Sequence, residues 1–448
     1  MYELNDIDVD PPIKFLLFEG THTMSNLRSI ALSVLNKCTE ADQYSNIALD
    51  TALKRNELSS ADRGLLTSLV YGTLEHLLTL DHWIQALSSR KLSQIDKETH
   101  NLLRLGLYQL AYLDRVPDHA AVNETVVLAS RRTRGFVNAI LRSFLRANKE
   151  IPFPDVQADP IAYLSVRYSF APEICALFVK SYGLERTEHL LAAFCKQPPL
   201  TLRVNTLRTT REALLQRLLK AGYDAAPTPE APHGIELRGS APTTSLPGFA
   251  EGEFFVQDEA SQLCVEALDV KEGMAMIDVC ACPGSKSFGA ATDMNNLGRV
   301  LCCDLHQNKL SLVVSGAERL GISIIETEAR DARDLNPSWI NTFDRVLCDV
   351  PCSGFGVFAK KPELRYKDPQ KSTALPDIQL SILETASRYL KENGLLVYST
   401  CTLLPSENGE NVARFLGSHT DFSLLRERTL TPDEDGTDGF YFAVLQKR

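Results

Sequence analysis

The sequence predicts an α/β protein in three parts: an all-helical N-terminal unit, a small α+β unit, and a doubly wound parallel sheet in the C-terminal half. Three observations carry this. From Glu259 onward, short β-rich apolar runs alternate regularly with amphipathic stretches, which is the pattern of a parallel sheet covered by helices. Residues 24–150 lack such runs; their apolar positions recur at three and four spacing (Leu27, Ile30, Ala31, Val34, Leu35), the period of a helix. A chain of 448 residues is also too long for one ordinary core, so two or three domains are expected.

Composition narrows the class. No apolar run approaches the roughly 18 residues of a membrane helix. Residues 1–23 are acidic, and their one apolar run, 15–18, is too short for a signal peptide, so they read as a disordered tail with the fold starting at Met24. A cytoplasmic monomer with no membrane partner is expected. The 11 cysteines are odd in number and have no secretory context, so reduced thiols are the default. The close pairs Cys280/Cys282, Cys302/Cys303 and Cys348/Cys352 lack the spacing of structural zinc, and no metal is expected. Net charge is -10, against a chain that coats itself in nucleic acid, yet residues 24–150 carry 16 basic and 13 acidic residues, which leaves room for a local basic face.

In chain order, the helical unit spans 24–150. Its segment 101–113 is mostly apolar and reads as a central buried helix, which Val116-Pro117-Asp118 ends. Arg131, Arg132 and Arg134 gather at the start of the next helix, as either a solvated turn or a phosphate-binding surface. Residues 151–197 read as a helical connector with one clear helix at 171–182. The 198–258 unit has strands at 200–204, 234–237 and 253–256 and a helix at 210–221 that opens on a Thr cap; it is RRM-like, the type that presents a nucleic-acid-binding sheet. In 259–448, strands fall at 275–279, 299–303, 323–326, 345–348 and 395–399, and helices at 287–294, 309–320, 376–390 and 408–416. A last strand, antiparallel, closes the chain.

Chemistry concentrates at the carboxyl ends of these strands, where open α/β sheets bind ligands. After the first comes Cys280-Ala281-Cys282-Pro283-Gly284-Ser285-Lys286, turning into a helix whose N-terminus suits an anionic group. Asp304 ends the second strand, where an acid holds ribose hydroxyls in nucleotide-binding folds. Asp331 follows the third, where an adenine contact is expected. Neither a dinucleotide fingerprint nor a phosphate loop is present, so an adenosyl ligand without pyrophosphate, S-adenosyl-L-methionine, fits better. The fourth strand runs into Asp349-Val350-Pro351-Cys352-Ser353-Gly354, and Pro351 forces the chain out of the sheet. Cys401 ends the fifth. Those two strands are neighbours in a doubly wound sheet, so both thiols face one crevice, as a redox pair, a metal site or a catalytic pair.

These motifs, with YSTCT before Leu403 and SENGENV at 406–412, closely resemble the RNA cytosine-C5 methyltransferases of the RsmB (Sun) type, and the helical unit resembles the NusB-like domain of that family. Cys282, Ser285, Ser287 and Gly409 depart from the usual residues, in the cofactor loop by small-for-small changes. The resemblance implies a Rossmann-like methyltransferase sheet that binds S-adenosyl-L-methionine through 280–286, Asp304, Asp331 and Asp349. It implies Cys401 as the nucleophile that adds to cytosine C6, Cys352 in proton removal and product release, Asp349 at the N3 edge, and Lys286 between cofactor and base. Lys360, Lys361 and Arg365 add cations beside the crevice for RNA. The implied substrate is a single-stranded or flipped cytosine of 16S ribosomal RNA, the one numbered 967. The same chemistry on transfer RNA or another ribosomal site, and a non-catalytic NusB-like assembly factor, are the competing readings; decay would show first in the cysteines and the cofactor loop, and both are intact.

Overall fold

The computed structural model describes residues 25–40, 45–239 and 242–448; the expected tail at 1–23 and the start at Met24 lie outside them. Seven α-helices among the described residues, from Ser25–Glu40 to Arg134–Arg146, form the N-terminal unit. Lys97–Tyr112 is its central helix: Asp96 caps the Thr99 amide at 3.0 Å, and Leu102, Leu103, Leu105, Leu107 and Leu110 are all at most 4% exposed. Pro117 sits at the cap of Asp118–Leu128, where its missing N–H costs nothing. No described helix is long and apolar enough to cross a membrane.

The connector holds three helices, Pro160–Tyr168, Pro172–Tyr182 and Leu184–Phe194, not one. Gly183, at φ 77°, both ends the second and starts the third, so two further short helices flank the one that shows in the sequence. They do more than connect. Phe170, Phe178 and Phe194 surround Phe358, with ring centroids 5.0, 6.0 and 5.0 Å away, and so bury the segment that follows the Asp349–Gly354 turn.

The small unit is a four-stranded antiparallel sheet, β1 (Leu200–Val204), β2 (Asp224–Pro227), β3 (Gly234–Arg238) and β4 (Phe254–Val256), in the order β2-β3-β1-β4. Its helix, Arg211–Lys220, is capped by the Thr210 hydroxyl on the Ala213 amide, as expected. Strand β2 is illegible in sequence because Asp-Ala-Ala-Pro is poor strand text, tolerated only at an edge. Buried Arg203 of β1 grips Asp293 at 2.7 Å, which docks this sheet onto the helix Ser285–Asp293.

The large sheet comprises β5 (Ala275–Asp278), β6 (Arg299–Asp304), β7 (Ile325–Ala329), β8 (Phe343–Asp349), β9 (Leu390–Thr400), β10 (Phe422–Leu430) and β11 (Phe440–Lys447), ordered β10-β11-β9-β8-β5-β6-β7. Strands β5 to β9 are parallel, and β11 returns antiparallel on β9. Successive strands run outward in both directions from β5, so the switch point, where such sheets open a crevice, lies between β5 and β8. Strand β7 starts two residues later than the sequence suggests, because the Asn296 side chain accepts from the Ser323 amide at 2.9 Å and keeps it out of the ladder. The edge strand β10 does not show in the sequence because its centre, LLRER, is charged and exposed, as edges are.

Candidate active site

Two turns at the ends of neighbouring strands bring Cys352 and Cys401 together. Strands β8 and β9 pair in register through Asp349 and Ser399, so the chain leaves both strands at the same height. The two sulfurs then stand 3.1 Å apart, both unoxidised. The Ser353 and Thr402 hydroxyls, each one residue past a cysteine, bond to each other at 2.8 Å and tie the turns. A hydroxyl directly after each cysteine is the sequence signal for this tie, and motif spacing alone does not reveal it.

The two thiols are pushed in opposite directions. The Cys352 thiol is held well above the ordinary range, first by the hydrogen bond to Cys401, then by burial and by the nearby Glu407 carboxylate. Cys401 is lowered by that same bond, against burial and Asp349, with help from the Lys286 and Lys361 ammonium groups. A thiolate on Cys401 beside a thiol on Cys352 is the arrangement this site favours.

Beside the sulfurs lies an ion pair. Lys286 Nζ donates to Asp349 Oδ2 at 2.6 Å, and the Ser399 hydroxyl donates to the other oxygen, Oδ1, at 2.8 Å. Burial opposes the Lys286 charge, but Asp349 more than offsets it, and the lysine stays protonated. Its ammonium also stands 5.2 Å from the Phe440 ring centroid, so the start of β11 walls the site. Below them Asp278, 1% exposed, accepts from the Ser287 hydroxyl at 2.7 Å and from the Cys280 amide at 3.2 Å. Burial lifts its carboxyl to about 7.

The loop Cys280 to Lys286 leaves the end of β5, which borders the switch point. The Ala281 amide donates to the Cys303 carbonyl at 2.7 Å, Pro283 is exposed, and Gly284 takes φ 111°, open to glycine. A Cβ on Gly284 would meet the Phe288 ring at 2.7 Å, so the backbone stays bare there. Among the described residues no side chain caps the helix Ser285–Asp293 that follows, which leaves its first amides open to a ligand. Asp304 flanks the loop; burial and this carboxylate push the Cys282 thiol up to about 12. Asp331 lies two residues beyond β7, its carboxylate paired with Arg333 at 2.6 Å.

The sequence matches family models over most of its length. Residues 265–446 match the model described as 16S rRNA methyltransferase RsmB/F, residues 25–146 the NusB family, and residues 174–244 the RsmF/B-like ferredoxin-like domain. The probable ribosomal RNA small subunit methyltransferase B of Bacillus subtilis is 38% identical, covering 95% of this chain and 99% of its own. The chain belongs to the RsmB/F methyltransferase family. The Serratia proteamaculans ribosomal RNA small subunit methyltransferase B is 34% identical over 94% of this chain and 99% of its own. Among solved structures, PH0851 has a TM-score of 0.78 at 24% identity over 96% of this chain and 100% of its own, a likeness of fold. A methyltransferase homologue from Pyrococcus horikoshii has a TM-score of 0.59 at 27% identity, covering 65% of this chain and 99% of its own.

In this family member the expected RNA-facing cations part company. Arg131, Arg132 and Arg134 are exposed at the start of Arg134–Arg146, and Lys361 is exposed too. Lys360 is spoken for by Asp258 at 2.6 Å and Asp438 at 2.7 Å. Arg365 corrects the expectation of a phosphate contact: it is 1% exposed and donates to the Glu75 carbonyl at 3.0 Å and the Phe194 carbonyl at 2.8 Å. A basic residue in a loop reads as solvated, but this one fastens the helical unit to the sheet unit.

Proposed function

We propose that this chain transfers a methyl group from S-adenosyl-L-methionine to C5 of a cytosine in small-subunit ribosomal RNA, at the position numbered 967, through a covalent adduct on Cys401. The observation that carries this reading is the pair of sulfurs 3.1 Å apart beside the Lys286–Asp349 pair. The names of the relatives support the choice of ribosomal RNA.

C5 of cytosine is a weak nucleophile. Attack of the Cys401 thiolate on C6 forms an S–C6 bond and pushes electron density to C5, which can then accept a methyl group. Charge building at N3 meets the Lys286–Asp349 pair, which shares the proton that N3 needs. Cys352, once its own thiol proton has passed to solvent, takes the C5 proton as the S–C6 bond breaks, which restores the ring, returns Cys401 as a thiolate and gives the N3 proton back to the Lys286–Asp349 pair. When bound, S-adenosyl-L-methionine supplies an electrophilic sulfonium methyl. The bare loop 280–286, the uncapped helix start and the acids Asp304 and Asp331 suit its carboxylate and adenosine, and would hold it.

The test is incubation with unmodified small-subunit ribosomal RNA and labelled cofactor, mapping new methylcytosine, with Cys401→Ala and Cys352→Ala in parallel. Transfer to one cytosine, abolished by Cys401→Ala and replaced by a trapped RNA adduct in Cys352→Ala, is the expected result. Transfer to transfer RNA alone would overturn the substrate, and no transfer to any RNA would overturn the reaction.

A further inference from the structure

The turn at each reactive cysteine is held by one of two adjacent residues, Glu407 with the help of Gln379 at Cys352 and Asn408 at Cys401. The Glu407 carboxylate is 1% exposed; its Oε2 accepts from the Ser353 amide at 3.0 Å and from Gln379 Nε2 at 2.7 Å. Gln379 Nε2 also donates to the Pro351 carbonyl at 2.9 Å. The peptides before and after Cys352 are therefore both held by the Glu407–Gln379 pair. Asn408 does the same for the other turn: its Oδ1 accepts from the Thr400 hydroxyl at 2.5 Å, and its Nδ2 donates to the Thr402 carbonyl at 2.9 Å. Tyr398 OH locks the device from beneath, donating to the Glu407 carbonyl at 2.6 Å.

We propose that Glu407 and Asn408 are a matched pair of positioning residues, Glu407 for the release step at Cys352 and Asn408 for the attack step at Cys401. This deepens the function proposed above and rests on it. Hydrogen bonding alone would be served by an amide at 407 at lower cost, since a buried carboxylate is the more expensive group. Moreover, among the described residues Glu407 Oε1 is buried with no hydrogen-bond partner, so only one of its two carboxylate oxygens is satisfied by the turn. The charged and titratable groups around the thiols are Glu407, Tyr398 and Cys401 at Cys352, and Asp349, Lys286 and Lys361 at Cys401. Of these, the Cys401 sulfur and then the Glu407 carboxylate favour the thiol form of Cys352, and Glu407 is the carboxylate on that side.

The two residues therefore fail differently. Glu407→Ala leaves attack intact and loosens the Cys352 turn, so the RNA adduct on Cys401 accumulates, as in Cys352→Ala. Asn408→Ala loosens the Cys401 turn, so the adduct forms slowly and never accumulates. Both lower kcat roughly 10²-fold, the cost of a reacting group misplaced by about 1 Å, with the KM for RNA within about twofold of wild type. Glu407→Gln keeps an acceptor for the Ser353 amide and recovers part of the loss.

The experiment measures steady-state kinetics and denaturing-gel adduct yield for the full chain and these variants. It also follows pH-resolved alkylation of Cys352 and Cys401 without RNA, and melting curves to verify folding. Opposite adduct behaviour, with Cys352 alkylating at lower pH in Glu407→Gln, supports the proposal. Identical adduct behaviour of Glu407→Ala and Asn408→Ala, or losses that only track melting temperature, overturn it. Failure of the underlying reaction is separable: wild type would then transfer no methyl group, and Cys352→Ala would trap no adduct, while the alkylation profiles would still report whether Glu407 biases Cys352.

Discussion

Lys286 and Asp349 meet at 2.6 Å across the switch point of the sheet, one from the helix after β5 and the other from the end of β8. Each anchors the other: Asp349 keeps the lysine charged, and the lysine occupies one carboxylate oxygen while Ser399 occupies the second. Removing either leaves an isolated charge in a half-buried crevice. Lys286→Met is expected to reduce methyl transfer by about 10²-fold or more with RNA affinity retained, the scale of a lost proton-transfer partner. Single-turnover rates beside filter binding check it; a parallel loss of RNA affinity would count against the assignment.

A second expectation concerns pH. Asp278 has its folded pKa lifted by burial to about 7, above the roughly 3.9 of an unfolded aspartate. Its bound proton therefore stabilises the fold fully below about pH 4, and that contribution is lost as pH rises through 7. Asp278→Asn imitates the protonated form, although its amide serves one of the two donors poorly. The melting temperature of the variant should therefore gain on wild type by several degrees between pH 5 and pH 8. A gap that does not change with pH would show that Asp278 is charged throughout.

The division between what is legible in the sequence and what is not follows from range. The parallel strands, the Thr210 cap and the meeting of Cys352 with Cys401 can be read because short apolar runs, cap residues and strand order are local or topological signals. What fails needs partners far away in sequence. Arg365 looks like a solvated cation until Glu75 and Phe194 are placed against it, 290 and 171 residues away. The connector shows one helix in sequence, 171–182, and the two that flank it stay hidden until Phe358 gives Phe170 and Phe194 something to bury. Glu407, the first of the two acids in SENGENV, shows no role in the sequence until the Ser353 amide is brought to it.

The arginines should separate cleanly in a third test. Arg365→Ala orphans two buried carbonyls and is expected to cost about 3 kcal/mol in denaturant unfolding, with little change in the salt dependence of RNA binding. Arg131→Gln with Arg132→Gln should do the reverse. Stability stays within about 0.5 kcal/mol, as for surface changes. The slope of log affinity against log salt should fall by roughly 0.7 for each single-strand phosphate that these arginines no longer neutralise. An unchanged slope would remove that surface from the RNA interface.

The last expectation tests how tightly the crevice is built. The carbonyl of Gly356, four residues past Cys352, accepts from the Gly439 amide at 2.8 Å, and Gly439 immediately precedes Phe440, the ring under Lys286. A Cβ on Gly356 would overlap the Gly439 carbonyl oxygen, and one on Gly439 would fall 2.8 Å from the Gly356 Cα. Both neighbours are backbone, so neither can rotate aside. Gly356→Ala must therefore push the Cys352 turn and the start of β11 apart, moving the thiol and the Phe440 ring wall in opposite directions. Overpacking of this kind costs roughly 1–3 kcal/mol in stability, and the displaced thiol should cost more in rate than in fold. At a temperature where the variant is fully folded, the adduct on Cys401 should still form while its release slows. Unchanged release from a folded Gly356→Ala protein would mean that the crevice tolerates the extra atom and that the position of Cys352 does not depend on this contact.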